Sequence, residues 1–162
     1  MRPAGRAFVE QISNQFNIYD PIYEMGSLRV EGQEVLADMR PLFPGHTYIG
    51  ADMRPGLGVD LLLDIENIKL KDCSVGTILC VDTLEHVQNV HKAMSEMYRV
   101  LMPSGLIVIV SVMNFPIHNF PFDYWRFTPK AFDLLLAPFS QKEVIADGHP
   151  SFPTGVYGWG IK

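Results

Sequence analysis

Apolar positions along the chain change period several times, and the changes divide it into alternating helices and strands. Phe8, Ile12 and Phe16 recur every four residues, which places them on one face of a helix over about Ala4 to Phe16. Pro21 to Met25 then reads as a short strand ending at Gly26. Val35, Leu36, Met39, Leu42 and Phe43 fall at helical period and predict a second helix over about Gln33 to Phe43, stopped by Pro44-Gly45. Strands follow at His46 to Asp52 and Val59 to Ile65. Thr77 to Val81 and Leu106 to Val112 are continuous β-rich apolar runs of the kind buried on both faces of a sheet. Between them Val90, Ala93, Met94, Met97, Tyr98 and Leu101 stripe a helix over about Gln88 to Leu101, broken by Pro103-Ser104-Gly105. Thr128-Pro129 reads as an N-cap with proline at the first helical position, opening a helix with Phe132, Leu135 and Leu136 inward. Lys142 to Ala146 and Val156 to Ile161 are the closing strands.

Strands alternating with helices imply an α/β fold: a three-layer, Rossmann-like, mostly parallel sheet with an antiparallel strand at its C-terminal end. One connection is irregular. Only Arg54 to Gly58 separates the second and third strands, too short for a crossover helix, so a trimmed loop is expected there. Without repeats or linkers, residues 1–162 read as one domain.

Composition narrows the partners. A net charge of −5 with no Lys/Arg run argues against a nucleic-acid surface. The longest apolar stretch is too short to span a bilayer, and Met1 to Phe16 reads as an amphipathic helix and not a secretory leader. Cys73 and Cys80 form neither a disulfide framework nor a zinc spacing, which fits a cytoplasmic protein with reduced thiols. His86 and His91 lack the i, i+4 spacing of helical metal ligands, so no metal is expected.

In open α/β sheets ligands bind outside the carboxyl ends of the strands. Glu24, Asp52, Asp64 and Asp82 each stand at such an end. Four carboxylates on one rim suit a cationic or polyhydroxylated ligand and suit a phosphate-rich one poorly. Singly, Asp52 and Asp64 read as solvated acids or caps; together at successive strand ends they read as a site. Asp82 and Glu85 also suit the start of the following helix, and capping is the expected role of Glu85.

Five segments in order resemble motifs of the class I S-adenosylmethionine-dependent methyltransferase family, in the manner of its type 11 members. They are Tyr23-Glu24-Met25-Gly26-Ser27, Tyr48-Ile49-Gly50-Ala51-Asp52-Met53, Leu63-Asp64-Ile65-Glu66-Asn67, Val75 to Val87, and Met97 to Gly105. The resemblance implies that the chain binds S-adenosyl-L-methionine as cofactor and transfers its methyl group to a small-molecule acceptor. It implies a cofactor site of Glu24, Gly26, Ser27, Asp52, Met53, Asp64, Ile65, Asp82 and Thr83. Within it the acid at position 52 holds the ribose, and Asp64 with its neighbour meets the adenine. Two features depart from the family. Leu28 and Val30 stand where further glycines would fall, with Gly32 available as a later turn residue, and the second crossover helix is missing.

The segment His118 to Phe127 follows the fifth strand and should arch over the same rim. Phe120, Phe122 and Phe127 read as staples onto the core, while Tyr124, Trp125 and Arg126 are candidate acceptor-binding residues. Arg126 has an alternative role, bracing the loop against Asp123. His86 and His118 are the candidate bases for a hydroxyl acceptor, with a structural role as the alternative. Two other functions stay open: a nicotinamide-dependent oxidoreductase, which the missing glycines disfavour, and a non-catalytic domain of the same fold.

Overall fold

A computed structural model describes residues 2–118 and 121–162; Asn119 and Phe120, the latter a predicted core staple, lie outside the described residues. The elements are α1 (Pro3–Gln15), β1 (Ile22–Met25), β2 (Tyr48–Asp52), β3 (Leu61–Leu62), β4 (Val75–Val81), α2 (Val90–Val100), β5 (Leu101–Val112), α3 (Pro129–Leu135), β6 (Gln141–His149) and β7 (Phe152–Ile161). The strands form one sheet in the order β3-β2-β1-β4-β5-β7-β6. The first five run parallel, and β7 pairs antiparallel with both β5 and β6.

Alternation along the central strands builds two cores, one on each face. Ile78, Cys80, Ile107 and Ile109 pack with α2 and α3, whereas Leu79, Val81, Val108 and Val110 pack with α1. The α2 stripe of Val90, Ala93, Met94, Met97 and Val100 is buried, and its start is fixed by Asn89, whose side chain accepts from the Lys92 N–H. Thr128 caps α3 as expected, accepting from the Ala131 N–H, with Pro129 in the first turn. Leu101 belongs to β5 and not to the helix: its backbone is extended and it pairs with Val75. Among the described residues no helix is long and apolar enough to cross a membrane.

The predicted helix over Gln33 to Phe43 is not formed. Turns replace it, with a 3-10 turn at Arg40–Leu42, and Val35 is exposed while Met39 and Phe43 reach the core. Two causes act against the helix. Pro41 would stand inside it without an N–H, and the Arg6 guanidinium from α1 takes the carbonyls of Leu36 and Asp38, fixing them away from a helical ladder. Gly32 adopts φ +82 in the preceding turn, the left-handed position expected of it. The third strand is likewise shorter than Val59 to Ile65, because the connection 53–60 is a tight loop that leaves only Leu61 and Leu62 able to pair with β2.

β1 is buried along its whole length, and Glu24 sits within it at 5% exposure. Tyr48 on the neighbouring strand donates its hydroxyl to Glu24 Oε2 at 2.9 Å. Burial outweighs that bond and raises the carboxyl from its ordinary 4.5 to about 7. The folded state therefore holds the proton more tightly than the unfolded chain. The stability this contributes is fully present below about pH 4.5 and is lost as pH rises through about 7. Glu24→Gln keeps an acceptor for Tyr48 but cannot ionise. The fall in unfolding free energy between pH 5 and pH 8, read from urea titrations, should shrink in the variant by roughly 2 kcal/mol. A wild-type pH dependence in Glu24→Gln would show that this carboxyl does not carry the burden.

Candidate cofactor and acceptor site

β1 and β4 are neighbours whose onward connections lead to opposite halves of the sheet, and their carboxyl ends open into a cavity of about 660 Å³. Gly26 follows β1 at φ +87, and a Cβ there would lie 2.1 Å from Thr83 Oγ1. The glycine is required on both counts, by conformation and by space. Thr83 Oγ1 lies 3.0 Å from the Met25 carbonyl and 2.9 Å from the Val81 carbonyl, so its hydroxyl bridges the two strand ends. Ser27 is 3% exposed in the same wall, and its Oγ has no hydrogen-bond partner among the described residues. A buried hydroxyl left in that state is a group waiting for a ligand or water.

Each strand-end acid is held differently. Asp52 closes β2; one oxygen accepts the Leu28 N–H at 3.3 Å and the other the Arg54 N–H at 2.9 Å. It is thereby clamped between the loops after β1 and β2. Asp64, beyond β3, is exposed and accepts the Glu66 N–H at 2.8 Å. Asp82, just after β4, takes φ +46 and lies 3.8 Å from the Arg2 guanidinium. Met53 is 67% exposed and, with Ile65, supplies apolar wall on the β2–β3 side of the cavity. The cavity thus brings together Glu24, Gly26, Ser27, Asp52, Met53, Asp64, Ile65, Asp82 and Thr83. The rim is less negative than four free carboxylates would be. Glu24 is largely uncharged below pH 7, Asp82 faces Arg2, and Asp52 lies 3.7 Å from Arg54 Nε.

Sequence reasoning missed Arg2 and misjudged Glu85. Arg2 reaches the cavity because Gly155 on β7 leaves room: a Cβ there would lie 2.2 Å from the guanidinium. Glu85 does not cap α2, whose cap is Asn89. It sits in a separate 3-10 turn, Leu84–His86, is 0% exposed, and accepts the Ser111 hydroxyl on Oε2 at 2.7 Å. Burial, then the nearby Asp82 carboxylate, push its carboxyl up from the usual range.

The loop after β5 closes over this turn. The Tyr124 and Trp125 N–H groups both donate to the Glu85 carbonyl, and Trp125 Nε1 donates to the Val87 carbonyl at 2.8 Å. Arg126 forks onto both oxygens of Asp123, at 2.5 and 2.7 Å, and also reaches the Phe115 and Pro116 carbonyls. These bonds hold Asp123 well below the usual carboxylate range. Arg126 therefore has the bracing arrangement, and it and Trp125 lie outside the cavity lining, whereas Tyr124 and Phe122 line it. Phe127 is buried as a staple, but Phe122 is 59% exposed, against the expectation for that residue. Its ring lies against Tyr124 at the cavity mouth and not in the core, 5.8 Å between centroids. His86 and His118 both line the cavity, with ring centroids 4.9 Å apart. Burial lowers the His86 pKa from its ordinary value, so its ring is neutral at neutral pH. The partner the fold gives His86 is His118, not His91.

Comparison with known proteins agrees with this architecture. Residues 36–109 match the family model described as a methyltransferase domain. No curated protein sequence matches the chain. Among solved structures, a SAM-dependent methyltransferase from Thermotoga maritima is similar at TM-score 0.67 and 19% identity, covering 97% of this chain and 89% of that one. A 1,6-didemethyltoxoflavin-N1-methyltransferase from Burkholderia thailandensis, solved with 1,6-didemethyltoxoflavin and S-adenosylhomocysteine, is similar at TM-score 0.70 and 12% identity over 98% and 76% of the two chains. A SAM-dependent methyltransferase from Methanosarcina mazei gives TM-score 0.65 and 15% identity over 93% and 95%. Identities this low speak to the fold alone. The matched family model over residues 36–109 and the strand order thus give the chain the Rossmann-like fold of S-adenosylmethionine-dependent methyltransferases.

Proposed function

We propose that this chain binds S-adenosyl-L-methionine in the cavity at the carboxyl ends of β1 to β4 and directs its methyl group to a small-molecule acceptor under the loop after β5. The observation that carries the reading is Asp52, clamped by the Leu28 and Arg54 N–H groups at the end of β2 beside the orphaned Ser27 hydroxyl. A carboxylate fixed in that way accepts both hydroxyls of a ribose diol. Asp64 and Ile65 serve the adenine as acceptor and apolar wall. Glu24 and Asp82 face the amino-acid end, where positive charge draws the Glu24 carboxyl into its ionised form.

When bound, the cofactor supplies an electrophilic methyl group on a sulfonium. The chain supplies position and a dry approach to it, the contributions that in-line transfer needs most. Tyr124 stands at the acceptor end as a flat wall, held by its N–H on Glu85. Arg126 with Asp123, and Trp125 with Val87, keep that wall in place. For a hydroxyl acceptor, His86 and His118 are the groups at that end able to take a proton. The oxidoreductase alternative is disfavoured by Leu28. Leu28 and Val30 stand where a pyrophosphate turn needs glycines, and Leu28 packs against Gly56, where a Cβ would lie 2.4 Å from its Cδ1.

Titration calorimetry tests the cofactor assignment. S-adenosylhomocysteine should bind and NADH should not, and Asp52→Ala should weaken the methyl cofactor product by about 1–3 kcal/mol while the far-UV circular dichroism is unchanged. NADH binding without S-adenosylhomocysteine binding would refute the reading, and unchanged affinity in Asp52→Ala would refute the ribose assignment. Tyr124→Ala addresses the division of labour: cofactor affinity should stay within about threefold, and turnover of an identified acceptor should be lost. A collapse of cofactor affinity in a folded Tyr124→Ala chain would make the loop a cofactor lid.

A further inference from the structure

We propose that Glu85, His86 and His118 form a binding site for a divalent transition metal of the zinc type at the acceptor end of the cavity. One ligand atom from each of the three lies within 4.8 Å of the other two, and all three side chains line the cavity. The residues come from two places that the fold brings together: the 3-10 turn after β4 and the loop after β5.

Hydrogen bonding decides which atoms are offered. His86 Nδ1 lies 2.6 Å from the Phe122 carbonyl oxygen, which can only accept, so Nδ1 carries the proton. His118 Nδ1 lies 3.2 Å from both the Pro116 carbonyl and an Asp123 carboxylate oxygen, again acceptors only. With Nδ1 turned to these acceptors, Nε2 is the nitrogen that each ring would offer a cation. An imidazole whose far N–H is tied to a carbonyl or carboxylate is the usual state of a metal-bound histidine, because that bond fixes tautomer and ring orientation and raises basicity. Glu85 supplies the third, independent observation. It is 0% exposed, Ser111 occupies Oε2, and Oε1 has no hydrogen-bond partner among the described residues. A buried carboxylate oxygen in that condition lacks a cation or donor.

Two imidazole nitrogens and one carboxylate oxygen select zinc-like ions over Mg²⁺ or Ca²⁺, which prefer oxygen alone. Tetrahedral ligands at about 2.0–2.1 Å from zinc stand about 3.3 Å from one another, so ligand atoms that lie within 4.8 Å of each other would draw closer on binding. Three protein ligands would leave a fourth position, as in sites that hold a water or a substrate oxygen, and all three residues line the cavity. On the methyl-transfer reading, that position receives an acceptor oxygen. A zinc-type ion held by Glu85, His86 and His118 would lower that oxygen's pKa, so that its proton would pass to solvent water and not to either imidazole.

The full-length chain, treated with chelator and then dialysed, should bind one equivalent of Zn²⁺ in competition with a chromophoric chelator. Co²⁺ in its place should give the visible absorption of a four-coordinate site. His118→Ala should weaken Zn²⁺ at least about tenfold with unchanged circular dichroism, and Glu85→Gln should do the same. Should Glu85→Gln unfold, His118→Ala and His86→Ala decide the matter. Wild-type chain that takes up no Zn²⁺, or His118→Ala that binds it equally well, overturns the site. S-adenosylhomocysteine affinity of the metal-free chain is measured in parallel. Cofactor binding without zinc binding counts against the metal site alone, and zinc binding without cofactor binding counts against the methyl-transfer reading alone.

Discussion

Between the ends of β1 and β4 there is room for one hydroxyl and no side chain beside it. Thr83 Oγ1 sits between the carbonyls of Met25 and Val81, in the space that any Cβ on residue 26 would need. The site depends on this contact. It holds together the two strands whose onward connections diverge, it forces the backbone after β1 into the left-handed conformation at Gly26, and it presents Ser27 and Leu28 to the cavity. Leu28 in turn donates its N–H to Asp52, so the order extends from β4 through β1 to the end of β2.

The trimmed side of the molecule gives these loops their second task. Without a helix between β2 and β3, or one over residues 33–43, the wall there is built from turns and ion pairs. Arg29 meets Asp38 at 2.6 Å, Arg40 pairs with Asp60, and the Asp60 carboxylate accepts the Gly50 N–H at 2.8 Å. Such pairs near the surface contribute little stability each. Their effect is to fix direction: they hold the loops that carry Leu28 and Arg54 against Asp52.

Much of the fold was legible because its signals are local. Buried runs marked β4 and β5, and Thr128-Pro129 marked α3; Asp52 closes β2 and Asp82 follows β4 as expected, whereas Glu24 lies within β1 and Asp64 two residues beyond the shortened β3. What was not legible depends on distant partners. Nothing near residues 33–43 says that Arg6 will take the carbonyls of Leu36 and Asp38. Glu85 resembles a cap until Ser111, from the adjacent strand, accounts for its burial. His86 and His118 share no sequence spacing, and the fold sets them together through the Phe122 carbonyl and the paired N–H groups on Glu85. Arg126 could be read two ways from sequence, and the proximity of Asp123 selects the brace.

The central claim is that Asp52 at the end of β2 and Asp64 just beyond β3 read the nucleoside of the methyl cofactor. The most direct measurement is a crystal structure of the chain grown with S-adenosylhomocysteine. The account predicts both ribose hydroxyls on the Asp52 carboxylate, at the 2.5–2.7 Å of charge-assisted O–H···O bonds, with the adenine beside Asp64 and Ile65. Density for the nucleoside in any other place, with Asp52 still bonded only to Leu28 and Arg54, would contradict it.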